Sequence, residues 1–201
     1  MKLLFENWRK FVTEGGNVFA GQTASIPREF IEPTLEKYYA ELKRLFPKKE
    51  KVFDSFRPLG SVGKKKSSGD IDLGIDAGNF FEGGEVTPEA LEGWEIDPME
   101  WEKTFKVLTI TSTTATPEQI AWRAFLNEIS KHMDSYSDLI AIPEQKVTKR
   151  GGITIYRVDK VGPGNLFTLF PQFNEDGEQQ EIGVQMDWMV GNIDWLELAY
   201  W

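Results

Sequence analysis

Leu59-Gly60-Ser61-Val62-Gly63-Lys64-Lys65-Lys66-Ser67-Ser68-Gly69-Asp70-Ile71-Asp72-Leu73-Gly74-Ile75-Asp76 joins a glycine-serine pair, a basic small-residue loop and an apolar run interrupted by acids. Side chains alternate faces along a strand, so Asp70 and Asp72 point one way while Ile71 and Leu73 point the other. Two residues of rise set the acids roughly 6.6 Å apart at Cα, close enough for their carboxylates to share a divalent ion. Acids on a strand whose other face is apolar are costly to bury without a cation. Upstream, Gly60 lets the backbone approach a ligand, and backbone N–H groups with the Ser61 hydroxyl can hold phosphate oxygens. Lys64, Lys65 and Lys66 either neutralise such a phosphate or form a solvated loop, and Ser67 and Ser68 suit phosphate contact or turn formation equally.

Outward from this stretch, the chain is long enough to bury a sizeable core. Its 201 residues, 40% hydrophobic and 27% charged, are expected to form one domain with embellishments. No apolar run approaches the ~20 residues of a membrane-spanning helix, and the first ten residues lack a secretory apolar segment. The chain has no cysteine, which excludes disulfides and zinc-thiolate sites and fits a reducing, cytoplasmic setting. A net charge of -9 disfavours broad, sequence-independent binding to nucleic-acid phosphates.

Helical spacing of Leu3, Leu4, Trp8, Phe11 and Val12 predicts an amphipathic N-terminal helix, followed by a connector to residue 26. A second helix is expected from Pro27 to Phe46, kinked or restarted at Pro33. Residues 52–59 are expected to hold a strand, and Pro88 and Pro98, preceded by Thr87 and Asp97, to open two short helices. Thr116-Pro117-Glu118-Gln119 opens a longer helix whose buried face is Ile120, Ala121, Ala124, Phe125, Ile129 and Met133. His132, near its end, is expected to serve the helix C-terminus as a charge. A short strand is expected at 137–142, a hairpin turning at Gly151-Gly152, strands at 166–173 and 182–190, and a terminal helix at 192–200.

Asp187 is a lone acid in the last of these strands. It shares a face with Gln185 and Met189, while Val184, Met186 and Trp188 face the core. A carboxylate there needs a partner, and a shared metal or a lysine would serve.

With Leu59-Gly60-Ser61, then Asp70-Ile71-Asp72-Leu73, then Asp187, the sequence resembles the polymerase-β-like nucleotidyltransferase superfamily. The Met-Asp-Trp-Met-Val-Gly ending of the last strand also looks like nucleotidyltransferase-like proteins of tailed phages. The resemblance implies an α+β fold: a mixed sheet carrying three acids, helices packed on one side, and an insertion at about 78–116. It implies that Gly60 and Ser61, helped by Lys64, Lys65 and Ser68, hold a nucleoside triphosphate such as ATP. It further implies that Asp70, Asp72 and Asp187 ligate two Mg²⁺ ions, with Mn²⁺ as substitute. The expected reaction moves a nucleoside monophosphate to an acceptor hydroxyl on an RNA end, a protein side chain or a small molecule. Little chain follows Asp187, where many relatives carry a base-gripping helical domain. A degenerate binding or assembly module without catalysis is the alternative expectation.

Overall fold

The computed structural model describes residues 18, 19, 21–60 and 62–200, so the helix expected at 3–12, and Ser61, lie outside the described residues. The elements in chain order are β1 (Ile26–Pro27), α1 (Arg28–Leu45), α2 (Glu50–Phe53), β2 (Arg57–Pro58), β3 (Ser67–Ser68), β4 (Asp70–Asp76) and α3 (Ala77–Phe80). They continue with α4 (Pro98–Thr111), α5 (Pro117–Tyr136), β5 (Gln145–Arg150), β6 (Ile153–Val158), β7 (Asn165–Phe173), β8 (Gln179–Gly191) and α6 (Ile193–Ala199). The class is α+β with a mixed sheet of order β2-β4-β8-β7, in which β4 and β8 run parallel and the outer pairs antiparallel.

Alternation builds the core. Ile71, Leu73 and Ile75 of β4 and Val184, Met186 and Trp188 of β8 are all buried on one face, against Tyr38 and Leu42 of α1 and Phe125 and Ile129 of α5. The opposite face carries Asp70, Asp72, Asp187 and Met189. One short helix, α6, lies there: Leu196 packs with Met189 and Leu59 in a second small cluster. The expectation of helices on one side therefore needs this correction. Asn192 caps α6, its side chain accepting the Trp195 N–H at 2.9 Å, so the helix starts directly beyond the acid strands.

Local chemistry explains most boundaries. Thr116 and Gln119 form a reciprocal capping box at the start of α5, and the apolar face expected for that helix is buried as a unit. Asp97 caps α4 through the Met99 N–H. Gly151 and Gly152 both take positive φ, which the two-residue turn between β5 and β6 requires. Helix α1 runs through Pro33 without restarting, and α4 runs unbroken from Pro98 to Thr111. Residues 52, 53 and 56 are spaced for a helix rather than a strand, and α2 forms there, leaving only Arg57–Pro58 as the strand β2. The strand expected at 137–142 shrinks to a single bridge between Ala141 and Leu169. His132 rests its ring 4.9 Å from Phe46, and burial lowers its pKa, which works against the charge expected of it at the helix end. Residues 78–116 add Phe80, Phe81, Trp94 and Trp101 to the main core. Among the described residues no helix is long and apolar enough to cross a membrane.

Behind the acid face, the core holds one fully buried polar relay. The Trp188 indole N–H donates to the Tyr38 hydroxyl at 2.8 Å, and that hydroxyl lies 2.8 Å from Thr168 Oγ1. Tyr38→Phe leaves the indole donor without its partner, so a loss of about 1–3 kcal/mol in unfolding free energy is expected by urea denaturation. A change within ~0.3 kcal/mol would show that the relay does not hold β8 in place.

Candidate functional site

Register sets the site. In the parallel β4–β8 ladder Asp70 stands opposite Gln185, and Asp72 opposite Asp187. The sequence-expected acids therefore meet on one face of adjacent strands, brought from distant parts of the chain. Asp70 is exposed, Asp72 half-buried and Asp187 only 4% exposed.

Burial and mutual repulsion govern their charge. Burial, then the neighbouring Asp70 carboxylate, pushes Asp72 up to about 7. Asp187 rises well above the ordinary carboxylate range, first through burial and then through Asp72 and Asp70, with a hydrogen bond from Gln185 opposing. Desolvation raises Asp70 as well.

Gln185 is the positioning group that the alternation pattern placed beside Asp187 but assigned no role. Its Nε2 donates to Asp187 Oδ2 at 3.1 Å, while its Oε1 accepts the Val18 N–H at 2.8 Å. With both ends engaged, the amide fixes one carboxylate oxygen. The other, Oδ1, is buried and has no hydrogen-bond partner. An orphaned acceptor of this kind, next to a second carboxylate, fits a hard cation, and an all-oxygen donor set suits Mg²⁺. As they stand, no three His, Cys, Asp or Glu side chains among the described residues converge tightly enough to hold an ion.

The glycine-serine turn closes beside the acids. The Leu59 N–H donates to the Asp72 carbonyl at 2.9 Å, and Gly60 follows at φ 63°, a left-handed conformation that favours glycine. Ser61 lies outside the described residues. Lys64 and Lys65 are exposed on the loop that follows. That loop is pinned at its far end: the Arg28 N–H donates to the Lys66 carbonyl, and Ser67 and Ser68 pair with Pro27 and Ile26. Ser68 is turned inward, 7% exposed, with its hydroxyl unbonded. Asp76 ends β4, and its carboxylate accepts the N–H groups of Gly78 and Ile193, joining the ends of β4 and β8.

Tyr200 carries no sequence signal of a role, yet α6 delivers it to the site. A Cβ added at Gly60 would lie 3.4 Å from the Tyr200 carbonyl oxygen and 3.7 Å from its ring. Its phenol pKa is raised by burial and then by the charges of Asp72, Asp187 and Asp70. Gly74 makes room for this helix, because a Cβ there would fall 2.8 Å from both Ile193 and Leu59.

No family model, curated protein or solved structure matches this chain.

Proposed function

We propose that the protein is a nucleotidyltransferase that moves a nucleoside monophosphate from a nucleoside triphosphate to an acceptor hydroxyl. The observation that carries this reading is the register pairing of Asp72 with Asp187, with Asp70 on the same face and Gly60 one residue beyond the β2–β4 contact. Asp70, Asp72 and Asp187 would hold Mg²⁺, or Mn²⁺, which when bound supplies charge neutralisation at the α-phosphoryl group and acidifies the acceptor hydroxyl. The Gly60 turn, with Ser61, Lys64 and Lys65 on its loop, would seat the triphosphate tail; Ser68, turned inward, would brace that loop.

The acceptor oxygen forms a bond to the α-phosphorus as the bond to the bridging oxygen of the β-phosphate breaks, and pyrophosphate leaves. The Asp187 carboxylate takes up the hydroxyl proton. Gln185 keeps that carboxylate in one orientation through the step.

The test is Mg²⁺-dependent ATP binding by the wild-type chain and by Asp70→Asn/Asp72→Asn. A drop in affinity of about a hundredfold or more is expected for the double variant; equal binding by the two would sink the assignment.

A second reading has its own observation. Tyr200 and the apolar side of α6 sit against Gly60, where a triphosphate would approach. A nucleotidyltransferase-like fold retained as a binding or assembly module would have such a covered cradle. It is favoured by metal binding without transfer from any nucleoside triphosphate.

A further inference from the structure

The acid face has two ends of different character. Beyond Asp72 and Asp187 toward the strand C-termini, Leu59, Met189, Leu196 and Tyr200 close it with apolar surface. Toward the strand N-termini it opens into a cavity of about 350 Å³ lined by Thr23, Ala24, Ser25, Gly69, Asp70 and Gln185.

This cavity has a built wall. The segment carrying Thr23, Ala24 and Ser25 runs along the start of β8, with the Ala24 N–H donating to the Gly183 carbonyl and the Gly183 N–H donating to the Gln22 carbonyl, each at 3.2 Å. Buried Gln172 reinforces it by donating to the Ala24 and Gly183 carbonyls at 3.0 and 3.2 Å. The floor is the Asp70–Gln185 register pair, and Gln185, 2% exposed, hands on directly to Asp187. A ligand seated here therefore lies beside the acids.

The lining chemistry selects the ligand. Hydroxyl, amide, carboxylate and backbone groups face the cavity, and no lysine, arginine, histidine or aromatic side chain among the described residues does. Arg28, Lys64, Lys65 and Lys66 are exposed on neighbouring segments and form no part of its lining. Among the described lining residues a phosphate meets no cationic side chain to offset its desolvation, which is costly. A base would find no ring to stack on among the described lining residues. Hydroxyls, by contrast, can exchange hydrogen bonds with Thr23, Ser25 and the backbone groups of the wall.

Resting on the transferase reading above, we propose that this cavity is the acceptor seat and that its acceptor is an unphosphorylated, hydroxyl-rich small molecule, a sugar or polyol. It presents one hydroxyl toward Asp72 and Asp187. A nucleic-acid end, with its phosphates, is disfavoured in this seat by the described lining residues.

The experiment titrates the full chain, with Mg²⁺ present, with matched pairs: glycerol and glycerol 3-phosphate, sorbitol and sorbitol 6-phosphate, glucosamine and glucosamine 6-phosphate. Mg²⁺-dependent ATP binding is followed separately. At least one unphosphorylated member should bind about tenfold or more tighter than its phosphorylated twin. Ser25→Trp, which fills the cavity from its exposed wall, should weaken that binding about tenfold and leave ATP binding within about twofold. Equal or tighter binding of the phosphorylated members, no binding of any pair, indifference to Ser25→Trp, or label transfer from ATP to an RNA 3′ end overturns the proposal. Loss of the transferase reading would be visible on its own, as absent ATP binding with the sugar preference intact.

Discussion

Asp187→Asn is expected to lower Mg²⁺-dependent nucleotidyl transfer by about a thousandfold or more, while making the metal-free protein more stable at pH 8. The first effect follows from removing one anionic oxygen ligand and the proton acceptor together, a loss worth several kcal/mol of transition-state stabilisation. The second follows from the site's electrostatics. Asp187 is 4% exposed and faces Asp72 across the ladder, so its charge is unfavourable in the empty site. Asparagine keeps the shape, and its Oδ1 can still accept from Gln185 Nε2. A gain of about 1 kcal/mol or more in metal-free stability is therefore expected by denaturant titration at pH 8. The two outcomes together separate a functional acid from a structural one. An acid held for structure would lose stability on this substitution, and unchanged transfer would remove Asp187 from the site.

Metal-free stability should also fall as pH rises from about 4 to about 7, the reverse of ordinary acid denaturation. Asp72 is pushed up to about 7 in the folded chain, against 3.8 as its ordinary value. Between those values the folded protein keeps a proton that the unfolded chain has released, so raising the pH favours unfolding. The contribution is fully present below the unfolded value and is lost as pH passes the folded one. Asp72 alone accounts for on the order of 4 kcal/mol across that window. Asp187 titrates as part of the same coupled set and adds in the same direction. Other groups, His132 among them, tilt the curve the opposite way, so the informative quantity is the difference between wild type and Asp72→Asn. That difference should grow from about pH 4 to about pH 7 in favour of the variant and then level off, and millimolar Mg²⁺ should shrink it. A difference independent of pH would mean that Asp72 ionises freely.

Much of the sheet was legible because strand alternation is a local property. Asp70 and Asp72 had to share a face opposite Ile71 and Leu73, and Asp187 had to share one with Gln185 and Met189, wherever those strands came to lie. Cap and turn chemistry was legible for the same reason at Asp97, Thr116 and Gly151-Gly152. Spacing misled where an apolar pattern fits two periods over a short run. Residues 52–56 read as a strand, yet they close a helical turn whose Val52 and Phe53 reach the core. Pro33 misled differently: its effect on α1 depends on what packs around the first turns, which the propensity of one residue does not contain.

Which acid meets which is a long-range fact. The sequence by itself determined that three carboxylates sit on polar strand faces next to a glycine turn, because side-chain direction follows from backbone period alone. Only the tertiary structure decided that Asp72 faces Asp187 while Asp70 faces Gln185, because parallel register is set by packing Leu73 and Trp188 into one core. Only it seated Tyr200 on Gly60 and folded Thr23 to Ser25 along the start of β8 to make a cavity beside the acids. Those contacts join residues far apart in the chain through backbone hydrogen bonds and close packing, and neither leaves a periodic trace in the sequence.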